Sequence, residues 1–357
     1  MPLSGIRVVD LTRILAGPFC TMILADMGAE IIKIEPPGVG DPLRAQGVIK
    51  DGLSWYFAAF NRNKRSLSLN LRSEEGKAVL ARLIAGSDVL VENFRPGVMA
   101  QMGFDEARRK ALKPDLVYAN ISGFGVTGPY RDRPSFDFIA QAMSGFMAVT
   151  GTADGPPLRA GPPIADLVAG LYGALGVCAA LVRRGRTGAG DSVGSSLNNG
   201  LLSLLGFLAA NHLAGETPAR SGNDHAIVAP DGMFRTADGE VALAPSQEQS
   251  YQRLLDALDA PELRDDPRFA SNDLRVANRA AINAAIEARL AAGRVLLELV
   301  LEAADGAGVS WLHRHTEVIH KAVDEESGRT VMTVRAHPEK AGAVRAKFAV
   351  AHGEQRT

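Results

Sequence analysis

Short apolar runs alternate with amphipathic stretches along the N-terminal third of the chain. The runs are continuous, as in strands buried on both faces, and the stretches between them repeat apolar residues at helical spacing. Strands are predicted at residues 6–11, 30–35, 66–71, 88–92 and 116–121, with helices at 18–27 and 74–85. This repeated alternation predicts an α/β fold with a parallel sheet and helices on both of its faces.

The middle of the chain has a different pattern, in which small and apolar residues recur at helical spacing. This spacing predicts buried helices at residues 136–149 and 164–184, where alanine and glycine permit close helix packing. A polar, glycine-rich turn is predicted at 183–191, followed by an apolar helix at 197–213. We therefore expect the mid-chain to be helical.

A change of composition divides the chain into parts. The predicted layout is a large domain at residues 1–214, a linker at 215–224, a small α+β domain at 225–325 and a final segment at 326–357. In the small domain, a hairpin is predicted around Asp238 and Gly239, followed by amphipathic helices at 249–258 and 279–291.

The overall composition is that of a globular protein that acts on small molecules. Of 357 residues, 46% are hydrophobic and 22% are charged, which is enough apolar material for a large core. The formal net charge of -1 provides no basic surface for nucleic acid and no polybasic patch for an anionic membrane. We see no apolar run of the roughly 20 residues that span a bilayer and no signal-type start. A cytoplasmic location is therefore expected, with no nucleic acid and no membrane as partner.

Signatures of common cofactors and metals are missing from the pattern. The turn Thr12–Pro18, after the first predicted strand, lacks the Gly-x-Gly-x-x-Gly fingerprint, so a dinucleotide is not expected. His313, His315 and His320 have no carboxylate or cysteine at a recognised spacing, so no metal site is predicted.

Asp166 is a lone carboxylate at the start of the apolar helix predicted from residue 164. The residues alone leave two interpretations open. Asp is favoured at helix N-termini, where it caps free N–H groups and meets the positive end of the helix dipole. A carboxylate can also attack an activated acyl group and hold it covalently. At a helix start, the dipole is expected to lower its pKa and keep it ionised.

Several segments match one enzyme family in order and spacing. They are Ala16–Pro18, Gly28–Glu35, Asn61–Ser66, Val91–Gly97, Ser122–Gly125 and Asp166. Together they resemble the class III CoA-transferases, the formyl-CoA and carnitine CoA-transferase family, which also contains the α-methylacyl-CoA racemases. The resemblance covers residues 3–300. It implies a Rossmann-like large domain, a smaller domain, and a homodimer of two chains threaded as interlocked rings, with residues 326–357 returning toward the large domain.

The resemblance also implies a covalent mechanism at Asp166. In this family an aspartate at that position attacks an acyl-CoA thioester and gives an anhydride, then an aspartyl-CoA thioester that a free carboxylic acid opens. The implied partners are an acyl-CoA and a carboxylic acid, with the coenzyme A thioester as substrate and no permanently bound cofactor. Backbone N–H groups near Gly123, Gly125 and Gly145 are candidate oxyanion donors.

Residues around CoA follow from the same resemblance. The CoA-binding residues carried over from the family are Ile14, Leu69, Arg72, Asn93, Phe94, Arg95 and Met102. The guanidinium groups of Arg72 and Arg95 can pair with phosphate or stack on adenine. Lys64 and Arg65 form a further basic pair, for which we favour a structural role over a phosphate contact.

The acyl pocket is expected at Leu15, Phe136 and Asp137. Formyl-CoA transferases carry a glutamine where this chain has Leu15, which disfavours oxalate and formate and favours a longer or branched acyl group. Racemases use a histidine where this chain has Phe136, so proton transfer at the α-carbon is disfavoured, and racemase activity is kept as an alternative. Asp137 also fits an ordinary helix cap after Pro134.

A second alternative is a catalytically silent CoA-binding homologue, in which Asp166 is only a helix cap. The stretch Val309–His315 replaces the proline-rich, small-residue turn of the family, so the resemblance fades toward the C-terminus. The residues do not name the donor or the acceptor acid.

Overall fold

The computed structural model describes residues 1–236, 239–291, 295–302, 304–324, 327–336, 338–348 and 350–356. The chain divides into two compact units, Met1–Arg220 and Ser221–Thr357. The division lies inside the segment that the composition marks as a linker. Each unit has its own buried apolar clusters and is described separately.

A six-stranded parallel sheet forms the centre of the first unit. The strands of this unit are β1 (Arg7–Asp10), β2 (Glu30–Glu35), β3 (Ile49–Lys50), β4 (Leu53–Ser54), β5 (Lys64–Ser68), β6 (Val89–Glu92), β7 (Val117–Ser122) and β8 (Asp191–Ser196). The short strands β3 and β4 pair as a hairpin, and the others form one sheet in the order β5-β2-β1-β6-β7-β8. All neighbours in that sheet are parallel, which confirms the predicted α/β class.

Helices cover this sheet. They are α1 (Ala16–Asp26), α2 (Trp55–Asn61), α3 (Glu74–Ala85), α4 (Val98–Gln101), α5 (Glu106–Leu112), α6 (Asp137–Met143), α7 (Ile164–Thr187), α8 (Leu197–Leu204) and α9 (Phe207–Leu213). The start of α3 shows how local sequence sets an end: the Ser73 hydroxyl accepts a hydrogen bond from Gly76 N, and Glu74 and Glu75 meet the positive dipole end.

The order of the strands reverses at β1, with β2 and β5 on one side and β6, β7 and β8 on the other. In open parallel sheets, the connections on the two sides of such a point run along opposite faces of the sheet. A crevice then remains beyond the carboxyl ends of the strands, and ligands bind there. The carboxyl ends of β1, β2 and β6 therefore mark the expected place of a ligand.

Helix α7 packs closely on α1 and on the sheet. Glycines permit this approach, because a Cβ on Gly170 would lie 2.5 Å from the Ala16 carbonyl oxygen, and one on Gly173 would lie 2.9 Å from Ile121 Cδ1. By length and composition alone, α7 also fits a membrane span, which the sequence pattern does not predict. Its buried residues belong to the core of this unit.

Some elements differ from the prediction for identifiable reasons. Strand β8 is not predicted because its residues, DSVGSS, lack an apolar run, and it is held by its pairing with β7. The predicted helix at 136–149 is broken at Gly145, which has a φ of 82°. The predicted helix at 197–213 is likewise divided at Gly206, with a φ of 52°. Both values lie in the left-handed region, which ends a regular helix.

The second unit contains α10 (Glu248–Leu258), α11 (Pro261–Asp265), α12 (Asn272–Ala277), α13 (Arg279–Ala291), α14 (Gly306–His315) and α15 (Pro338–Lys347). Its strands are β9 (Gly232–Arg235), β10 (Glu240–Leu243), β11 (Val295–Leu301), β12 (Glu317–Val323), β13 (Thr330–Ala336) and β14 (Val350–Arg356). Strands β9 and β10 pair antiparallel, as the predicted hairpin requires, although Asp238 in its turn lies outside the described residues.

From β11 to β14 the order of elements is β-α-β-β-α-β, and the antiparallel sheet has the order β12-β13-β11-β14. This is the arrangement of a ferredoxin-like motif. The segment 326–357 contains β13 and β14 of this sheet and helix α15, and its expected return toward the first unit stays a prediction. Alternate residues of β13, including Met332 and Val334, are buried against α14 and α15, which gives the physical reason for the place of β13 in this sheet.

Candidate active site

A cavity of about 920 Å³ opens at the carboxyl edge of β1, β2 and β6, where the strand order reverses. Thr12 follows β1, Pro36 follows β2 and Phe94 follows β6, and all three line this cavity. Cations on its wall are Arg13, Arg72 and Lys77. A basic and partly apolar cavity at this edge can accept a nucleotide with its phosphates.

The structure places four of the seven predicted CoA-binding residues on this wall. They are Leu69, Arg72, Phe94 and Met102. Ile14, Asn93 and Arg95 are not among the residues that line it. Asn93 supports it indirectly, because Arg13 N donates to its Oδ1 at 3.0 Å and its Nδ2 donates to the Arg13 carbonyl at 2.8 Å.

Ile14 belongs to a turn that buried side chains hold in an unusual conformation. Its φ of 67° lies in the left-handed region, which is costly for a β-branched residue. Its backbone N–H donates to Asp41 Oδ1 at 3.3 Å. Two residues earlier, Thr12 N donates to Asp10 Oδ1 at 2.8 Å, and the Thr12 carbonyl accepts from Lys33 Nζ at 2.8 Å. The cavity wall is thus shaped by charges beneath it.

These charges form two ion pairs with almost no solvent contact. Lys33 Nζ lies 2.9 Å from Asp41 Oδ2, and Lys64 Nζ lies 3.3 Å from Asp10 Oδ2. Burial raises the pKa of Asp10, but the charges of Lys64 and Lys33 more than offset this, and the pKa lies below its usual value. The sequence analysis did not single out Lys33 and Asp41. The signal that marks Lys33 is a lysine among the isoleucines in the interior of β2, and no comparable signal marks Asp41.

The predicted basic pair Lys64 and Arg65 has two different roles. Lys64 is buried and also donates to the Pro18 carbonyl at 2.9 Å, which ties β5 to α1. Burial lowers its pKa to about 8, against the opposite effect of the Asp10 carboxylate. Arg65 is exposed and pairs with Glu30 at the surface. Both placements are structural, and neither residue lines the cavity.

Asp166 lies in the first turn of α7 and is largely screened from solvent. Burial raises its pKa to about 7, and the charge of Asp137 adds to the shift. The expected lowering by the helix dipole is therefore wrong in its net direction. The effect of burial on the pKa outweighs that of the helix dipole, because loss of hydration disfavours the charged form of the carboxyl. Asp166 is thus poised near neutral pH rather than held ionised.

Asp137, not Asp166, caps α7. Its Oδ1 accepts a hydrogen bond from Ala165 N at 2.9 Å, and its Oδ2 accepts one from Gln141 Nε2 at 2.7 Å. The cap comes from a different helix, which is why a local sequence pattern assigns it to Asp166 instead. Because its cap function is taken over, the Asp166 side chain is available for chemistry.

The other predicted pocket residues lie in different surroundings. Leu15 is only 1% exposed and is not among the residues that line this cavity, and its role in an acid pocket stays a prediction. Phe136 is 72% exposed and immediately precedes α6.

Tyr56 was not predicted, yet burial raises the pKa of its phenol and the charges of Asp166 and Asp137 raise it further. The charges of both carboxylates thus act on this residue of α2.

The three candidate oxyanion glycines each have a structural reason. A Cβ on Gly123 would lie 2.4 Å from Ser135 Cβ. Gly125 and Gly145 have φ values of 87° and 82°, which favour glycine. Their role as donors stays a prediction.

In the second unit, the ring of His315 stacks on Trp311 with centroids 4.2 Å apart, which gives this histidine a packing role. Within the described ranges, no three His, Cys, Asp or Glu side chains form a group that can hold a metal.

Comparison with known proteins shows what the chain is similar to. A family profile described as CoA-transferase family III matches residues 3–356. An acetyl-CoA:oxalate CoA-transferase of Acetobacter aceti is 43% identical over 291 residues, which cover 81% of this chain and 75% of that protein. A succinyl-CoA:glutarate CoA-transferase of Mus musculus is 40% identical over 292 residues, which cover 81% of this chain and 67% of that protein.

A solved structure gives the same relationship in three dimensions. It is a CAIB/BAIF family protein from Brucella suis, with a TM-score of 0.72 and 41% sequence identity. The match covers 82% of this chain and 78% of that one.

Proposed function

The chain belongs to CoA-transferase family III, and we propose that it moves CoA from an acyl-CoA donor to a free carboxylic acid through covalent intermediates on Asp166. The observation that carries the proposal is the state of this side chain. Asp166 is largely buried at the start of α7, is relieved of capping by Asp137, and has a pKa raised to about 7. A desolvated carboxylate is a stronger nucleophile than a hydrated one, and strongly shifted groups cluster at functional sites.

In the first step, an oxygen of ionised Asp166 attacks the thioester carbonyl carbon of the donor. The carbon–sulfur bond breaks, CoA leaves as a thiolate, and a mixed anhydride joins the acyl group to Asp166. The thiolate then attacks the aspartyl carbonyl carbon of that anhydride. This releases the first acid as a carboxylate and leaves CoA bound to Asp166 as a thioester.

The second half repeats these steps in reverse order with the new acid. Its carboxylate attacks the aspartyl-CoA carbonyl, displaces the CoA thiolate and forms a second anhydride. The thiolate attacks the acyl carbon of the new acid, which regenerates the Asp166 carboxylate and gives the product thioester. One thioester is broken and one is formed over the cycle, with no change of oxidation state, so neither ATP nor a permanently bound cofactor is required.

Each of the four steps passes through a tetrahedral oxyanion that needs preorganised donors. The backbone N–H groups near Gly123, Gly125 and Gly145 and the phenol of Tyr56 are the proposed donors. Tyr56 is favoured because the charges of Asp166 and Asp137 act on it, and its raised pKa keeps the phenol protonated as a donor at neutral pH.

The cavity at the carboxyl edge of β1, β2 and β6 is the proposed site of the CoA nucleotide. Arg72 and Arg13 on its wall suit phosphate or adenine, because guanidinium both pairs with phosphate and stacks on rings. Arg13 already lies over the Phe94 ring, with 5.3 Å between its guanidinium carbon and the ring centroid.

The class of acid follows from the relatives. The two relatives described above are named for oxalate and for glutarate, and both of these are dicarboxylic acids. We extend this class to the acceptor of the present protein. Oxalate, which the glutamine-to-leucine difference at Leu15 disfavours, is included in this class because a relative that is 43% identical is named for it.

The racemase and the silent homologue are weaker alternatives. Phe136 stands where a racemase needs a histidine, and its ring cannot transfer a proton. In a silent homologue, Asp166 would serve only as a helix cap, but Asp137 already caps α7. Keeping Asp166 buried beside a second carboxylate raises the free energy of its ionised form and would then have no use.

A homodimer is proposed on the basis of an exposed apolar face. Large apolar side chains on α7 and α8 are exposed, among them Leu171, Leu175, Val182 and Leu202. Exposed apolar patches of this kind mark contact surfaces. The interlocked form stays a prediction of the resemblance. Size-exclusion chromatography with light scattering tests the dimer. A cytoplasmic location is also proposed.

Trapping of the covalent intermediate tests the mechanism. The protein is incubated with a panel of acyl-CoA donors and hydroxylamine, and the Asp166 peptide is examined by mass spectrometry. An aspartyl hydroxamate in the wild type, absent from the Asp166→Asn variant, is expected. The racemase alternative is tested by α-carbon exchange of 2-methylacyl-CoA in deuterium oxide. If no adduct is trapped on Asp166 and no CoA transfer is detected, the proposed function is refuted.

A further inference from the structure

Arg159 lies beside Asp137, and the two side chains form a long ion pair. Its side chain is 52% exposed, and its Nη2 lies 3.8 Å from Asp137 Oδ2. This separation is too long for a hydrogen bond. Its Nε donates to the neighbouring Ala160 carbonyl at 3.3 Å, and its guanidinium carbon lies 5.9 Å from the centroid of the Phe138 ring.

Asp137 does not depend on this arginine. Its two oxygens already accept hydrogen bonds from Ala165 N and from Gln141 Nε2. The guanidinium is therefore not committed to satisfying a buried acid. A planar guanidinium with unused N–H groups is suited to bind a carboxylate in a bidentate manner.

The backbone around Arg159 is fixed although its side chain is free to meet a ligand. Leu158 N donates to the Thr150 carbonyl at 2.9 Å, and Ala160 N donates to Gln141 Oε1 at 2.8 Å. The residue on each side is thus bound to a different part of the first unit. Such support fixes the backbone from which the charged side chain extends beside Asp137.

A second arginine near this loop shows the contrast. Arg220 donates to the backbone carbonyls of Thr152, Ala148 and Gly155 at 3.3, 3.2 and 2.9 Å. Its guanidinium holds the loop together and has a structural role. Among the described residues, Arg159 is the arginine that lies next to Asp137 without such a role.

The proposed reaction brings an anion to a site that already holds two carboxylates. A dicarboxylic acid adds two negative charges, and only one of its carboxylates reacts at Asp166. The other carboxylate requires a cation close to the site, since like charges in a partly buried site repel strongly. Arg159 supplies this cation on the Asp137 side.

We propose that the Arg159 guanidinium binds the remote, non-reacting carboxylate of a dicarboxylic acid and thereby selects dicarboxylic over monocarboxylic acids as substrates. This inference rests on the proposed CoA-transferase reaction at Asp166. It makes Arg159 a specificity-determining residue, in contact with the substrate but not with the reacting atoms.

Acceptors of matched length test it. Transfer from one donor acyl-CoA to glutarate and to pentanoate, and to succinate and to butyrate, is measured for the wild type, Arg159→Gln and Arg159→Lys. In Arg159→Gln, kcat/KM for the dicarboxylic acids is expected to fall about 30-fold or more, mainly through KM, while the monocarboxylic acids change by less than about threefold. Arg159→Lys is expected to lie between the two, because it keeps the charge and loses the bidentate geometry.

Arg131→Gln is the matched control, since Arg131 is an exposed arginine that pairs with the adjacent Asp132. It should leave both classes of acid unchanged. An equal loss for both classes in Arg159→Gln, or a wild type that prefers monocarboxylic acids, overturns the inference while leaving CoA transfer intact. If the wild type transfers CoA to no acid and forms no adduct on Asp166, the proposed function itself fails. Where Arg159→Gln does not fold, as judged by circular dichroism, an unchanged preference in Arg159→Lys decides against the inference.

Discussion

Asp137 caps the helix that carries Asp166, through a hydrogen bond from Ala165 N, and its charge helps to raise the Asp166 pKa to about 7. One carboxylate thus both positions and tunes the other. The pairing joins α6 to the first turn of α7, so neither residue is in its functional state without the other helix.

The first prediction concerns the pH dependence of the reaction. Because Asp166 attacks only when ionised, kcat/KM for the acyl-CoA is expected to fall as the pH drops below about 7, the pKa of this residue. Asp137→Asn removes the charge that contributes to the shift and keeps an oxygen that can accept from Ala165 N. In this variant, the fall of kcat/KM for the acyl-CoA on the acid side is expected to move to lower pH. A fall that stays in place would mean that burial alone sets the pKa.

Asp166→Asn is expected to lose activity and gain stability. Loss of the nucleophile should lower kcat by about three orders of magnitude or more. In the folded wild type the raised pKa favours the protonated acid, so its contribution to stability is present at low pH and is lost between about pH 4 and pH 7. The neutral amide avoids this loss, and urea unfolding should show a gain of about 1–3 kcal/mol at pH 8 but not at pH 4.

Lys33→Met is expected to weaken both the fold and the CoA cavity. It leaves the Asp41 carboxylate buried without its positive counter-ion, at a cost of about 3–5 kcal/mol in the free energy of unfolding. It also removes the donor to the Thr12 carbonyl, so KM for the acyl-CoA should rise. Arg65→Met is the matched control, because its surface pair with Glu30 contributes about 0–1 kcal/mol. Equal effects of the two variants would contradict a special role for the buried pair.

Asn93→Ala is expected to act on CoA binding alone. Asn93 satisfies both the N–H and the carbonyl of Arg13, and its loss should loosen this part of the cavity wall. We expect KM for the acyl-CoA to rise about tenfold with a small change in kcat, consistent with about 1–3 kcal/mol for such unsatisfied groups. KM for the acceptor acid serves as the internal control, and a matching rise in that value would indicate a general loss of structure.

The contact between α7 and α1 offers a paired test of packing. Gly170→Ala places a Cβ 2.5 Å from the Ala16 carbonyl oxygen, so it should lower the free energy of unfolding by about 1–3 kcal/mol. Gly185→Ala lies in the same helix with no neighbouring heavy atom within 4 Å. It should be neutral or stabilise by up to about 1 kcal/mol. Thermal unfolding followed by circular dichroism compares the two directly.

The sequence predicts best where local pattern and tertiary structure agree. The apolar run 30–35 and the amphipathic stretch 74–85 coincide with β2 and α3 at both ends. Strand β8 could not be found from an apolar run, since pairing with β7 supplies what its serine-rich sequence lacks. Near the end of the chain, the alternation of buried and partly exposed residues in β13 is a local pattern that matches its place in a sheet.

For the candidate site, the sequence singles out Asp166 and four residues of the cavity wall, but not the electrostatics. The helix dipole is visible in the sequence, whereas burial and the approach of Asp137 appear only in three dimensions. Lys33 and Asp41 meet because β2 and the loop after it fold back on the turn at Ile14. No spacing along the chain encodes that encounter.

The turn at Ile14 is held by side chains from separate parts of the chain: Asp10 at the end of β1, Lys33 within β2, Asp41 after β2 and Asn93 after β6, which binds the adjacent residue, Arg13. A binding wall made in this way exists only after those strands have come together. A thioester that occupies it binds the native state and not the unfolded chain, so it adds RT ln(1 + [L]/Kd) to the unfolding free energy. The half-life of the enzyme in a cell should therefore lengthen when acyl-CoA is plentiful and shorten when it is scarce.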